Sequence, residues 1–303
     1  MTESSRARGL IALLRLPYWL MTGGLSLLTA FAILKGDFSS VQTALGVLSF
    51  WEVAVLTFFS MAFIASAGFA INDYFDRESD AVIKPKRPIP SGALSLTQVI
   101  AISGALFALG LIMAFFINWL SFFIIATDSI LLLLYSYLVK RKSGFAANLL
   151  MGVLTGTAFI YGQATVSNTI NLVSLSLYPI AFGTIGGNVL RDILSIDGDS
   201  KVGYPTLPQK IGSVSAAKVG AVFFLLTGLL APLPAIPFFV GHFTVYYLPL
   251  ILLWSILLIY SSLRLFMSTS TIADIRKYER LVTMSMMLLP FALIVEAVLG
   301  WLT

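Results

Sequence analysis

The feature that most restricts this chain is the recurrence of apolar runs close to the ~20 residues that an α-helix needs to cross the hydrocarbon core of a bilayer. Nine such runs account for the 303 residues with little left over, at 17–34, 44–70, 95–116, 119–139, 145–166, 172–190, 214–238, 243–263 and 281–301. Only 11% of the residues are charged, against roughly 25% in an ordinary soluble domain. The expectation is an all-α membrane protein of nine transmembrane helices, read as one domain over 1–303. Pro17, Gly152, Gly156 and Pro290 fall inside runs without vetoing them, because glycine and proline are tolerated in membrane helices. The opening MTESSRARG is a short basic flank with no small-residue cleavage site after it, so the first run reads as a retained helix.

Charge sets the expected orientation. With the N-terminus inside, Arg6, Arg8, Arg15, Arg77, Lys84, Lys86, Arg87, Lys140, Arg141, Lys142, Arg191, Lys201, Lys210, Lys218, Arg264, Arg276, Lys277 and Arg280 all lie on or near the cytoplasmic side, and only Lys35 falls outside. This is a strong positive-inside pattern, and it leaves the C-terminus outside. Spans two and six then both run inward, so the polar stretches beyond them emerge at one face. Their connections, 71–94 and 191–213, are long, and long loops on a rigid scaffold tend to carry function. A third inner connection, 264–280, holds Thr269, Ser270, Asp274, Arg276, Lys277 and Glu279 and is read as a short amphipathic helix, either solvated or substrate-facing.

Two acidic clusters stand at that face. In ASAGFAINDYFDRESDAVIKPKRPIPSG, Asn72, Asp76 and Asp80 recur every four residues, which puts them on one helical face. Stacked carboxylates repel and raise one another's pKa unless something positive holds them, and a hard divalent cation is the economical explanation. The pattern returns as Asn188, Asp192, Asp197 and Asp199, succeeded by the basic loop KVGYPTLPQKIG. Mg2+ is commonly held by a few carboxylates together with phosphate oxygens. Asp76, Asp80, Asp192 and Asp199 are the first candidates for metal contact. Asn72 and Asn188 sit one turn earlier, where an amide either ligates without adding repulsion or holds a phosphate.

Lys84 and Arg87, with Lys86, come after one cluster, and Arg191 and Lys201 flank the other. A diphosphate bridged by Mg2+ needs both signs of charge, with Arg as a planar fork and Lys as a point charge. The absence of cysteine and the single histidine, His242, exclude thiolate and histidine-based metal sites. Taken alone, one Asp-x-x-x-Asp is a solvated helix end and basic loops are orientation signals; the pairing of clusters at one face favours metal. Of the other function classes, a cation-coupled transporter would place its acidic residues near the bilayer midplane, unlike these helix-end clusters. Nucleic acid is not an expected partner. Asp128, deeper in span four, is expected to pair or to face a chamber.

NDYFDRESDAVIKPKRPIPSG resembles the first Asp-rich motif of the UbiA superfamily of intramembrane prenyltransferases, and RDILSIDGDSKVGYPTLPQKIG resembles its second. The resemblance covers essentially the whole chain, and within the superfamily it is similar to members that transfer long prenyl groups, among them archaeal digeranylgeranylglyceryl phosphate synthases and chlorophyll synthases. It implies a helical chamber open sideways to lipid beneath cytoplasmic cap loops, an allylic isoprenyl diphosphate as donor, Mg2+ as cofactor, and a hydrophobic or amphipathic acceptor from a lipid or a quinone-precursor ring. It carries metal and diphosphate binding to Asn72, Asp76, Asp80, Asp192 and Asp199. It also implies a Tyr and a Lys beside the diphosphate at the inner end of span four, which map to Tyr137 and Lys140, with Tyr135 and Arg141 as local competitors, and Asn148 beyond the turn orienting either substrate. Relatives often carry another Asp where this chain has Ser195, which leaves the role of Asp197 open.

Overall fold

The structure, a computed structural model, describes residues 3–41, 48–267 and 271–302. Among the described residues nine helical stretches are long and apolar enough to cross a membrane, as expected. A short N-terminal helix, Glu3–Leu14, precedes span one, Pro17–Leu34. Between them Arg15 takes φ 49°, a left-handed conformation uncommon for any residue with a side chain. Pro17 then starts the next helix, where its missing N–H costs nothing.

The remaining spans keep the expected order with shifted ends. Span two is Phe50–Phe75, starting later and running further inward than the apolar run 44–70; residues 44–47 lie outside the described residues. Ser49 and Glu52 form a reciprocal capping box that fixes its start. Span three is Leu96–Ile117, again entered through a capping box, Ser95 with Gln98. Span four, Trp119–Leu134, continues through a π turn at Tyr135–Val139 and one last turn at Lys140–Lys142. Span five is Gly144–Ser167. Span six is broken, Leu172–Leu177 and Phe182–Leu194 joined by a 3-10 turn that holds Pro179. Span seven ends at Leu230, short of the expected 238, and span eight is Leu248–Met267. Span nine begins as a helix at Ile272–Ser285 and resumes as Leu288–Leu299. The amphipathic stretch expected within 264–280 falls largely in the first helix of span nine, Ile272–Ser285; Thr269 and Ser270 lie outside the described residues.

Each span packs against the next in chain order, and span nine returns to span one, so the helices close into a ring. Spans one and five also touch across it. Without a hydrophobic driving force between helices in lipid, close approach depends on small residues. A Cβ at Gly162 would stand 2.4 Å from Ser26 O, and one at Gly23 would stand 2.3 Å from Phe58 O, so span one meets spans five and two backbone to backbone.

The acidic groups inside the spans have partners. Glu296 is fully buried and accepts from the Thr244 amide at 2.9 Å and its hydroxyl at 2.7 Å. Glu52 caps its own helix. Asp128 is buried and meets the Thr157 hydroxyl at 2.7 Å. The connections after spans two and six are not extended loops: the first contains the helix Arg77–Ile83, and the second contains Ile196–Lys201 and Leu207–Ile211.

Candidate active site at the joined ends of spans two, four and six

The helix of span two stops at Phe75, and Asp76 sits at its C-terminal junction with φ −88° and ψ 1° before Arg77–Ile83 begins. Asn72, Asp76 and Asp80 thus occupy the end, the hinge and the continuation of one near-helical path. Asp76 and Asp80 are buried, 5% and 4% exposed, which is unusual for carboxylates unless they are paired. Asp76 Oδ2 accepts from Asn72 Nδ2 at 2.8 Å and from the Lys140 ammonium. Its other oxygen accepts from the Tyr204 hydroxyl at 2.6 Å. Asp80 accepts from Arg87 Nη1 at 2.7 Å.

The second cluster is held differently. Asp192 accepts from Asn148 Nδ2 at 2.7 Å, a contact from span five to span six. Asp199 accepts from the Ser195 hydroxyl at 2.6 Å, so Ser195 orients the carboxylate one turn on. Asn188 accepts from Arg191 at 3.1 Å, and Arg191 reaches Glu279 at 3.0 Å and Thr283 at 3.3 Å on the inner end of span nine. Arg191 is therefore committed outward, toward span nine. Asp197 and Lys201 are exposed.

The two clusters meet through residues that neither four-residue spacing contains. Tyr204, in the loop after the second cluster, donates to Asp76, pairs with the Ser79 hydroxyl at 3.0 Å, and lies with its ring 4.7 Å from the Lys140 ammonium. Its loop is fixed by the Gly144 amide donating to Pro205 O at 2.9 Å. Burial and the bond to the Asp76 carboxylate push the Tyr204 phenol well above its ordinary range, so the hydroxyl remains a donor.

The π turn decides which tyrosine of span four faces this centre. Its i→i+5 bonding, with the Lys140 amide on Tyr135 O, adds one residue to the turn and re-aims the side chains beyond it, as π turns at functional sites do. Tyr137, the expected partner of the diphosphate, is 60% exposed and packs its ring 5.6 Å from Phe75. Tyr135 is half-buried within the combined field of Asp76, Asp192 and Arg15. Arg141 lies over Phe75 and donates to its carbonyl at 3.2 Å, leaving Lys140 as the inward cation.

Two further residues lie outside the spacing argument. Asp73, 3% exposed, accepts from Arg15 at 2.7 Å and Arg87 at 2.6 Å. Arg15 also lies 4.4 Å over the Phe69 ring. Their sequence signals are slight: the Asn-Asp pair at 72–73 and an arginine directly before Leu-Pro at the start of span one.

The donor set suits a hard cation. Asn72 Oδ1 is buried with no hydrogen-bond partner, an acceptor beside Asp76 that costs free energy unless filled. Among the described residues no three acidic side chains form a ready-made cage; the carboxylates are occupied by Lys140, Tyr204, Arg87, Asn148 and Ser195. That arrangement matches an ion completed by ligand phosphate oxygens rather than by protein alone.

Residues 26–289 match the UbiA prenyltransferase family. The chain is 36% identical over 229 residues to digeranylgeranylglyceryl phosphate synthase of Natronomonas pharaonis, covering 76% of this chain and 78% of that one. It is 37% identical over 189 residues to the protein of the same name from Methanopyrus kandleri, covering 62% and 69%. Among solved structures, a digeranylgeranylglyceryl phosphate synthase in membranes superposes with TM-score 0.75 at 26% identity, over 97% of this chain and 99% of that one. A UbiA homolog from Archaeoglobus fulgidus bound to GPP and Mg2+ superposes with TM-score 0.61 at 20% identity, over 94% and 99%.

Proposed function

The chain belongs to the UbiA prenyltransferase family, and we propose that it transfers a long prenyl chain from an allylic diphosphate to a glyceryl phosphate that already carries one prenyl ether. It is a multi-pass integral membrane enzyme. The observation that carries the reading is the junction at Asp76, where span two, Lys140 of span four and Tyr204 of the second cluster's loop converge beside the unfilled Asn72 oxygen. The names of the relatives supply the acceptor class.

In the reaction the allylic carbon–oxygen bond breaks with both electrons leaving on diphosphate. A hydroxyl oxygen of the acceptor supplies the pair for the new ether bond, and its proton is released. Mg2+, when bound, neutralises the charge that develops on the leaving group. Asn72, Asp76, Asp80, Asp192 and Asp199 are the residues proposed to hold it. Lys140 supplies a fixed positive charge at the same carboxylate, where charge matters most because water is scarce. Asn148 fixes Asp192, and the half-buried Tyr135 of span four is the proposed phenol donor to the ligand. The apolar interior of the ring receives the tail and keeps water from the cationic carbon. The basic residues of the inner connections support a cytoplasmic site, with the N-terminus inside and the C-terminus outside.

The test is turnover by the purified protein with Mg2+, a donor series and both acceptor classes, read by mass spectrometry. Geranylgeranyl diphosphate with a prenylated glyceryl phosphate should give the diether. Isopentenyl diphosphate should fail as donor, because it lacks the allylic system that spreads positive charge. Product from a ring acceptor alone would overturn the acceptor assignment, and release of diphosphate without a prenylated product would make the enzyme a hydrolase.

A further inference from the structure

A basic cavity of about 340 Å³ stands beside the first cluster, lined by Ala12, Arg15, Asp73, Lys84, Lys86, Arg87 and Pro88. Neither Lys140 nor any residue of the second cluster lines it. Its four cations face one lining carboxylate, Asp73, so the cavity has charge for an anion that the protein does not supply. Lys84 and Lys86 have no ion pair among the described residues.

The two arginines are oriented in advance. Both bond Asp73 Oδ1, Arg15 through Nη2 and Arg87 through Nη1, and a guanidinium carries five donors in a rigid fork. Most of each fork is therefore left for a second acceptor. Arg15 reaches this place only because its backbone adopts φ 49° between two helices, a conformation that costs free energy and persists where the surroundings over-determine it. A salt bridge to Asp73 and the Phe69 ring beneath the guanidinium provide that determination.

Position selects the ligand. A donor diphosphate must lie against the carboxylates of both clusters, whereas this cavity is lined by none of them and touches only Asp73, beside the first. Arg87 is shared, since its Nη1 also bonds Asp80, so the cavity lies one guanidinium from a candidate metal ligand. The free hydroxyl of a glyceryl phosphate is only a carbon or two from its ester oxygen. A phosphate bonded to Arg87 would therefore bring that hydroxyl close to the guanidinium that also holds Asp80.

We propose that this cavity is a second anion site, distinct from the diphosphate site, which seats the phosphate monoester of the acceptor on Lys84, Lys86 and the free donors of Arg15 and Arg87. The proposal rests on the glyceryl phosphate reading above and adds where that phosphate binds.

The experiment compares the full chain with Lys86→Gln and with the double variant Lys84→Gln/Lys86→Gln in nanodiscs of neutral lipid. Steady-state kinetics with geranylgeranyl diphosphate and the prenylated glyceryl phosphate should show the acceptor KM rising about tenfold in the double variant, a loss on the scale of one charge-assisted contact, while the donor KM stays within about twofold. The dephosphorylated acceptor should be poor with the wild type and unaffected by the substitutions. A parallel rise in donor KM assigns the cavity to the donor and overturns the proposal, as does unchanged acceptor KM. An effect seen only when anionic phospholipid is added assigns it to bulk lipid headgroups and overturns it too. Saturation-transfer NMR with glycerol 1-phosphate, run without donor, reads the cavity apart from turnover: binding to the wild type that is lost in the double variant supports the site, and no binding to the wild type overturns it. A wild type that binds glycerol 1-phosphate yet prenylates only rings keeps an anion site here but removes the acceptor reading on which its assignment rests, and so overturns that assignment.

Discussion

Tyr204→Phe removes one oxygen and leaves the ring under Lys140. The lost hydroxyl donates to Asp76 Oδ1 at 2.6 Å and meets Ser79 at 3.0 Å, so the change deletes a charge-assisted bond that joins the two clusters. Hydrogen bonds to charged groups contribute about 1.5–3 kcal/mol. Asp76 keeps Lys140 and Asn72 on its other oxygen, which places the expected loss near the lower end. About 1.4 kcal/mol is a tenfold fall in kcat/KM for the donor. Tyr204→Ala also removes the cation–π contact at 4.7 Å, adding about 0.5–1 kcal/mol. The assay is initial rate against donor and against Mg2+, and half-saturating Mg2+ should rise as Asp76 loses its orientation. The hydroxyl's contribution should be constant with pH through neutrality: a phenol whose folded pKa is raised stabilises fully below its unfolded value of about 10 and loses that contribution only as pH climbs through the folded one. Unaltered donor kinetics and Mg2+ dependence in Tyr204→Phe would refute the idea that this loop positions Asp76.

The same geometry makes four other changes informative. Tyr135→Phe should lower turnover about threefold to tenfold, a cost near one neutral hydrogen bond, while Tyr137→Phe should leave it unchanged; the reverse order in a donor kinetic assay would return Tyr137 to the site. Asn148→Ala frees Asp192 from its 2.7 Å contact and should cost about 1–3 kcal/mol of transition-state stabilisation, measured as kcat/KM, with the helical circular-dichroism signal retained. Gly162→Ala forces a Cβ to within 2.4 Å of Ser26 O and should lower stability by about 1–3 kcal/mol; an unchanged midpoint of thermal unfolding in detergent would show that spans one and five separate without cost.

Much of this architecture is written in local pattern. Apolar run length places all nine spans, and the 72/76/80 spacing finds the carboxylates, because both signals depend only on neighbours along one helix. The ends of spans two, seven and eight shift where capping and turns, rather than hydropathy, set the boundary. The hidden part depends on partners distant in the chain. Tyr204 is 128 residues from the carboxylate it meets, and Arg15 is 58 residues from Asp73. Asp73 lies off the four-residue line and therefore looks incidental in the sequence. Arg191 reads there as a site cation, but its pairing with Glu279 across 88 residues turns it to span nine. The choice between Tyr135 and Tyr137 hangs on a π turn, which no hydrophobic period announces.

That π turn also sets a tolerance for chain length. A residue added to a regular helix rotates everything beyond it by about 100°, and the i→i+5 bond at Tyr135–Val139 absorbs that rotation. Closing the turn to α geometry with all its residues kept would swing Lys140 off Asp76, whereas deleting one residue there restores an i→i+4 bond and leaves Lys140 facing the same way. Span four can thus lose one residue in this turn and still present its lysine to Asp76, so alignments of related sequences should show single-residue gaps between Leu134 and Lys140 and none of other lengths.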